Sequence, residues 1–193
     1  MERREFVRVG ALALADLALL RIVSADPAPR TIGGAGPAGG GFVEIRMRSD
    51  ETGGRVWFDP VGLYVEPGTT VRWIVECNVH TTTAYHPRND DHPLRIPEAA
   101  EPWDSGYLVN PGDAFEQAFE VPGVYDYYCK PHEAAGMVGR IVVGEATGPG
   151  ARPFDYFRED PNPPGWRSVP SAARAVFPET GRILRDRVVR RAS

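Results

Sequence analysis

Residues 123–143 read GVYDYYCKPHEAAGMVGRIVV, and this stretch decides the fold. Residues 124–129 and 138–143 are rich in β-branched and aromatic side chains, and turn-forming residues separate them, so each reads as a strand. Working outward, Val121-Pro122-Gly123 closes an earlier run that carries Phe115, Gln117 and Phe119. Val71, Trp73 and Val75 recur at every second position after the turn Glu66-Pro67-Gly68. Val43, Ile45 and Met47 alternate with Glu44, Arg46 and Arg48, the period-2 pattern of a half-buried strand. Short strands at this spacing, with 21 Gly and 19 Pro to turn them, predict an all-β, two-sheet antiparallel sandwich without internal repeats.

The loop between the last two strands places Cys129, His132 and Met137 within nine residues. A strand end holds its backbone firmly, so a ligand there is well placed, and a short loop returns two more to the same point. A thiolate, an imidazole and a thioether form a soft donor set suited to copper in both oxidation states. His80, just beyond the strand read at residues 70–76, is the candidate fourth ligand. Two histidines and a cysteine with a weak axial methionine is the blue, or type 1, copper arrangement. Structural zinc would prefer more thiolates or histidines and would not select Met137. Two other readings stand beside it: a Cys77–Cys129 disulfide, and a Cys129–His132 nucleophilic pair, which would need an orienting group and a cleft. His80, His86 and His92 are spaced by six and invite a second metal site, with Asp90 and Asp91 close by; histidines next to proline are more often surface or packing residues.

Residues 123–143 resemble the metal-binding end of the plastocyanin/azurin family of cupredoxins, and the Cys-x2-His-x4-Met spacing is similar to that of plastocyanins, amicyanin-like proteins and archaeal halocyanins. The segment from Val65 through Val71 to His80, Asp104-Ser105-Gly106 and Pro111-Gly112 match the family's middle section. The likeness covers about residues 42–144 and does not reach the C-terminal tail. It implies a cupredoxin-type Greek-key sandwich and one type 1 copper ion held by His80, Cys129, His132 and Met137. It also implies that His132 is the more exposed ligand, ringed by Pro131, Ala134, Ala135 and Gly136, where redox partners dock briefly. Thr81 stands where the family often has an asparagine that ties the ligand loops together. Cys77 shares the inward parity of Val71, Trp73 and Val75 and reads as a small buried thiol.

Only two cysteines occur in 193 residues, so no disulfide scaffold is expected. The net charge of -4 divides unevenly: residues 41–145 hold 8 basic and 17 acidic side chains, residues 146–193 hold 9 basic and 5 acidic. The acidic body lacks a basic, aromatic-laced stripe, which excludes nucleic acid as a partner and suits steering of basic proteins. Arg3-Arg4 followed by the apolar residues 9–25 resembles a twin-arginine export signal, with Asp16 and Arg21 arguing against a permanent membrane span. The expected organisation is a signal over residues 1–25, a Gly/Pro-rich linker over 26–41, the cupredoxin domain over 42–145 and a basic, partly helical tail over 146–193. Residues 90–104 read as a surface excursion. Residues 171–177 and 179–190 are helical in pattern, with Ile183, Leu184 and Val188 as an apolar stripe, and Phe154, Tyr156 and Phe157 are candidate anchors for docking the tail. The whole reads as an exported monomer, in the periplasm or on the outer face of the cytoplasmic membrane, that carries single electrons and is not an enzyme. A copper-delivery or storage protein would use methionine clusters, and this chain has only Met1, Met47 and Met137; a subunit of a multicopper enzyme would need a further domain or a shared site.

Overall fold

A computed structural model describes residues 31–33 and 42–191. The alternating segment forms β2 (Phe42–Ser49), whose Ile45 and Met47 are buried while Glu44 and Arg46 face solvent. It pairs with β3 (Val56–Asp59) on one side and β5 (Thr69–Val75) on the other, and β5 pairs with β7 (Ala114–Phe119). A short strand β1 (Thr31–Gly33) completes this sheet beside β7, so these three residues of the expected linker are strand instead. The second sheet is built on β8 (Gly123–Tyr128) and β9 (Val138–Val143), with β4 (Gly62–Val65) beyond β9 and β6 (Thr83–Ala84) beyond β8. The expected signal at residues 1–25 lies outside the described residues.

The two sheets face each other over a single apolar core centred on Trp73. Its ring lies 5.4 Å from Tyr127 and 5.7 Å from Trp103, centroid to centroid, in offset and edge contacts that add to simple burial. Gly139, opposite Tyr127 in the β8–β9 ladder, leaves room for that ring: a Cβ at this position would stand 2.3 Å from it. The sandwich is not purely antiparallel. β1–β7, β2–β5 and β4–β9 run parallel, because consecutive strands cross between sheets and bring non-neighbours side by side.

Every residue of β8 and β9 is buried, which alternation alone does not explain. Tyr125, Tyr127, Ile141 and Val143 fill the core. The opposite face is covered by the chain after residue 145. Helix α1 (Ser171–Val176) and Phe177 pack on Tyr128 and Val138, and Ile183 of α2 (Thr180–Asp186) packs on Val124 and Val142. A last strand, β10 (Val188–Val189), extends the sheet beside β4. The expected apolar stripe of α2 is therefore only part right. Ile183 is fully buried, but Arg187 takes a left-handed conformation (φ 62°) that ends the helix, and Leu184 and Val188 stay exposed.

Beneath this cover lies a charged triad. Asp126 of β8 accepts from Arg95 Nε (2.7 Å) and from Arg140 Nε and Nη2 (2.7 and 3.0 Å), and all three residues are buried. The two guanidiniums spend their remaining donors on tail carbonyls, Arg95 on Gly150, Arg152 and Pro153, Arg140 on Pro178. Residues 90–104 are thus no simple surface excursion: His92, Arg95, Ile96 and Trp103 are buried, because the tail and the sandwich close over them. Of the expected anchors, Phe154 stacks under Arg95 and Phe177, Phe157 is buried against Trp166, and Tyr156 donates to the Leu94 carbonyl.

Candidate metal centre

The two sheets each deliver part of one site. β5 ends at Val75, and the chain then turns through Asn78, which is left-handed (φ 68°), to His80. An isolated bridge to Leu108, with hydrogen bonds in both directions, holds His80 in place. Cys129 follows the last residue of β8, and Met137 precedes the first of β9. The Cys129 N–H donates to the Met137 carbonyl (3.0 Å), so the ladder continues one step and sets the two sulfur residues opposite each other. Between them, residues Lys130–Ala135 wind into a short 3₁₀ turn that has Pro131 as its second residue and ends at left-handed Gly136.

This geometry brings the side chains of His80, Cys129 and His132 together, with their candidate ligand atoms all within 4.8 Å of one another. His80 Nδ1 lies 3.7 Å and His132 Nδ1 3.4 Å from Cys129 Sγ. A metal with bonds of about 2.0–2.3 Å to nitrogen and sulfur spaces neighbouring donors about 3–4 Å apart, so the pocket fits one ion. Met137 is fully buried in the same core cluster as Cys129. His80, Cys129 and Met137 are shut from solvent, whereas His132 is only half-buried.

Neighbouring groups hold the donors in place. His80 Nε2 lies 3.4 Å from Ser49 Oγ, which leaves Nδ1 free to face the sulfur. Thr81 takes the tying role: its N–H donates to Cys129 Sγ (3.3 Å) and its Oγ1 accepts from the Lys130 N–H (2.9 Å). Burial pushes the Cys129 thiol up to about 11, with the Thr81 N–H drawing it partly back. Burial, and then the like charge of His132, depress His80 to about 4. Burial also lowers His132. Without metal the centre is therefore a neutral thiol facing two neutral imidazoles. Cation binding to Cys129 must displace its proton.

Cys77 and Cys129 are both free, so the disulfide reading fails. Cys77 is half-buried, not the buried thiol its parity suggested, because β5 has ended and the chain has begun to turn; its Sγ lies 3.5 Å from the Ser49 carbonyl. His86 and His92 do not join His80: His86 Nδ1 accepts from the Arg88 N–H, and His92 lies buried against Glu133. Asp90 pairs with Lys130 and Tyr128. Around His132 the expected collar is altered: Pro131, Ala134 and Ala135 are exposed, but Gly136 sits under Ala172 and Val176 of α1. The sequence reading missed Val79, Tyr107 and Val109, which are exposed on the two segments joined at the His80–Leu108 bridge. Only the apolar character of those residues hinted at them.

Residues 44–144 match the family described as copper binding proteins, plastocyanin/azurin family. The chain belongs to this family. Among its relatives, the chloroplastic plastocyanin of Tetradesmus obliquus is 28% identical over 150 residues, covering 71% of this chain and 97% of that one. The plastocyanin of Synechococcus sp. (strain JA-2-3B'a(2-13)) is 34% identical over 110 residues, 55% of this chain and 76% of the relative. The halocyanin of Natronomonas pharaonis is 33% identical over 88 residues, 45% and 47% of the two chains. A Sinorhizobium pseudoazurin structure superimposes with a TM-score of 0.50 at 24% identity, over 69% of this chain and 89% of that one, a likeness of fold. The cupredoxin sandwich and copper as the metal follow from these findings together with the cluster of His80, Cys129 and His132. Family members are in general blue copper electron carriers.

Proposed function

We propose that His80, Cys129, His132 and Met137 hold one type 1 copper ion and that the chain carries single electrons between redox proteins outside the cytoplasm. The ion would supply a one-electron couple between Cu(I) and Cu(II). The observation that carries this reading is the unequal burial of the donors: three are sealed in the core and His132 alone reaches the surface. The buried donors exclude water and resist rearrangement. His132, framed by Pro131, Ala134 and Ala135, offers a short path for an electron to a docked partner. Thr81 and Ser49 keep the cysteine and His80 in one orientation through the cycle. The acidic body favours basic partners, with association rates that fall as salt rises. The twin-arginine-like start supports export to the periplasm or the outer face of the cytoplasmic membrane. No described helix is long and apolar enough to cross a membrane.

Loading the purified chain with Cu(II) tests the assignment. It should turn intensely blue, show small copper hyperfine splitting, and lose both on His132→Ala substitution or Cys129→Ser substitution. A chain that binds Cu(II) without colour, or keeps its colour without Cys129, contradicts the ligand set. Rapid surrender of Cu(I) to a weak chelator would favour copper delivery over electron transfer.

A further inference from the structure

Glu133 follows His132 directly on a loop that faces solvent, yet its side chain is buried. Its Oε1 accepts from the Tyr85 hydroxyl at 2.7 Å, and its Oε2 lies 3.1 Å from His92 Nε2. The other ring nitrogen, His92 Nδ1, lies 2.8 Å from the Asn89 carbonyl oxygen. A carbonyl only accepts, so Nδ1 carries a hydrogen. Nε2 and the carboxylate can then attract each other only with a proton between them. The cluster is sheltered: Glu133 is 7% exposed, and Tyr85, His92 and Tyr128 are each at most 1% exposed. Tyr128 stacks on the His92 ring with centroids 4.3 Å apart, and it directly precedes Cys129.

Between His132 and Met137 the backbone makes a single turn, with Gly136 N–H donating to the Glu133 carbonyl (2.8 Å) and Met137 N–H to the His132 carbonyl (3.1 Å). Ala134 and Ala135 point to solvent and carry no polar group, and Gly136 has no side chain. Between His132 and Met137, Glu133 is the one side chain with hydrogen bonds to the body of the protein; the ion pairs of Lys130 with Asp90 and Asp104 hold the loop before His132. A thioether bond from Met137 to copper would be weak, so it would be sensitive to where the backbone places the sulfur.

We infer that Tyr85 and His92 are positioning residues for the metal centre, acting through Glu133 to fix the separation of His132 from Met137. The inference rests on the proposed reading of those two residues as copper ligands. A purely stabilising buried pair would give the same burial but would leave the metal's spectrum untouched when weakened. His92, singled out by its spacing from His80, thus serves the centre from behind instead of binding a second ion.

The test uses the full chain, with and without copper. Glu133→Gln keeps both contacts, since its amide accepts from Tyr85 and donates to a neutral His92 Nε2; Glu133→Ala and Tyr85→Phe remove one or both. In metal-free protein, amide exchange at Gly136 and Met137 should quicken about tenfold or more in Glu133→Ala and Tyr85→Phe, the equivalent of one lost hydrogen bond to a charged group. Exchange in β9 should stay unchanged. With Cu(II), the same two variants should alter the ratio of the visible absorption bands and the hyperfine splitting, and Glu133→Gln should restore both. If the variants only lower the melting temperature, with exchange and spectra as in the parent, the positioning role is wrong. It is equally wrong if Glu133→Gln behaves like Glu133→Ala. A parent chain that stays colourless with Cu(II) would remove the ligand reading, and the exchange experiment would still decide whether the cluster holds the loop. Should Tyr85→Phe fail to fold, His92→Gln takes its place.

Discussion

Replacing Asp126 by asparagine should destabilise the protein far more than so conservative a change suggests. The side chain is wholly buried on the outer face of β8, and its two oxygens take three hydrogen bonds from Arg95 and Arg140. Asparagine keeps the shape, offers one acceptor oxygen in place of two, and turns an NH2 group toward a guanidinium. Two buried cations then face each other without an anion. Breaking a buried ion pair from one side costs about 3–5 kcal/mol. For a domain of this size each kcal/mol is worth about 2–4 °C, so the melting temperature should fall by about 6–20 °C. Because the same guanidiniums bind the carbonyls of Gly150, Arg152, Pro153 and Pro178, the tail should also become sensitive to trypsin before the sandwich does. Urea unfolding of the metal-free chain, followed by tryptophan fluorescence, gives the stability, and timed proteolysis gives the order of release. A variant within about 1 kcal/mol of the parent would refute the idea that the triad fastens the tail.

Metal-free protein should lose stability as the pH falls from about 6.5 toward 4, because His80 is held neutral in the fold and must take up a proton to unfold. That loss is on the order of 3 kcal/mol, is absent above the unfolded pKa, and should shrink in His80→Asn when urea midpoints are compared across pH. Alkylation at neutral pH should modify half-exposed Cys77 well before Cys129, whose buried thiol is held up near 11; equal rates by mass spectrometry would contradict the burial. Thr81→Val removes the acceptor for the half-buried Lys130 N–H and should cost about 1 kcal/mol in urea unfolding, the worth of one such hydrogen bond. Gly139→Ala drives a methyl into the Tyr127 ring and should cost about 1–3 kcal/mol or more, visible as a lower melting temperature.

Those parts of the fold set by local pattern were legible in the chain itself. The alternation of Val43, Ile45 and Met47 and of Val71, Trp73 and Val75 identified two central strands with the correct inward faces. The cluster of Cys129 with His132 was readable because both lie on one turn, whereas His80 came from 49 positions away and needed strand pairing to place it. What escaped depended on remote contacts. β3, β4 and the two-residue strands β6 and β10 are too short to show a period. Thr81, Thr82 and Thr83 look like a polar loop but are completely buried, because the segment leading to Trp103 closes over them. The burial of Glu133 and Arg95 is paid for by partners far away in the chain, so no neighbouring residue announces it.

The placement of His80 after a strand of one sheet and of Cys129 after a strand of the other has a consequence for how the protein matures. An ion held by both would act as a removable rivet across the sandwich at that end, closing a loop of about fifty residues. Whatever binds only the folded chain adds RT ln(1 + [L]/Kd) to its stability, about 4 kcal/mol when free ligand exceeds Kd a thousandfold. Occupancy and foldedness then become one coupled variable, and resistance to proteases becomes a readout of copper supply. A chain that has lost its metal would keep its core while its ligand end loosens first.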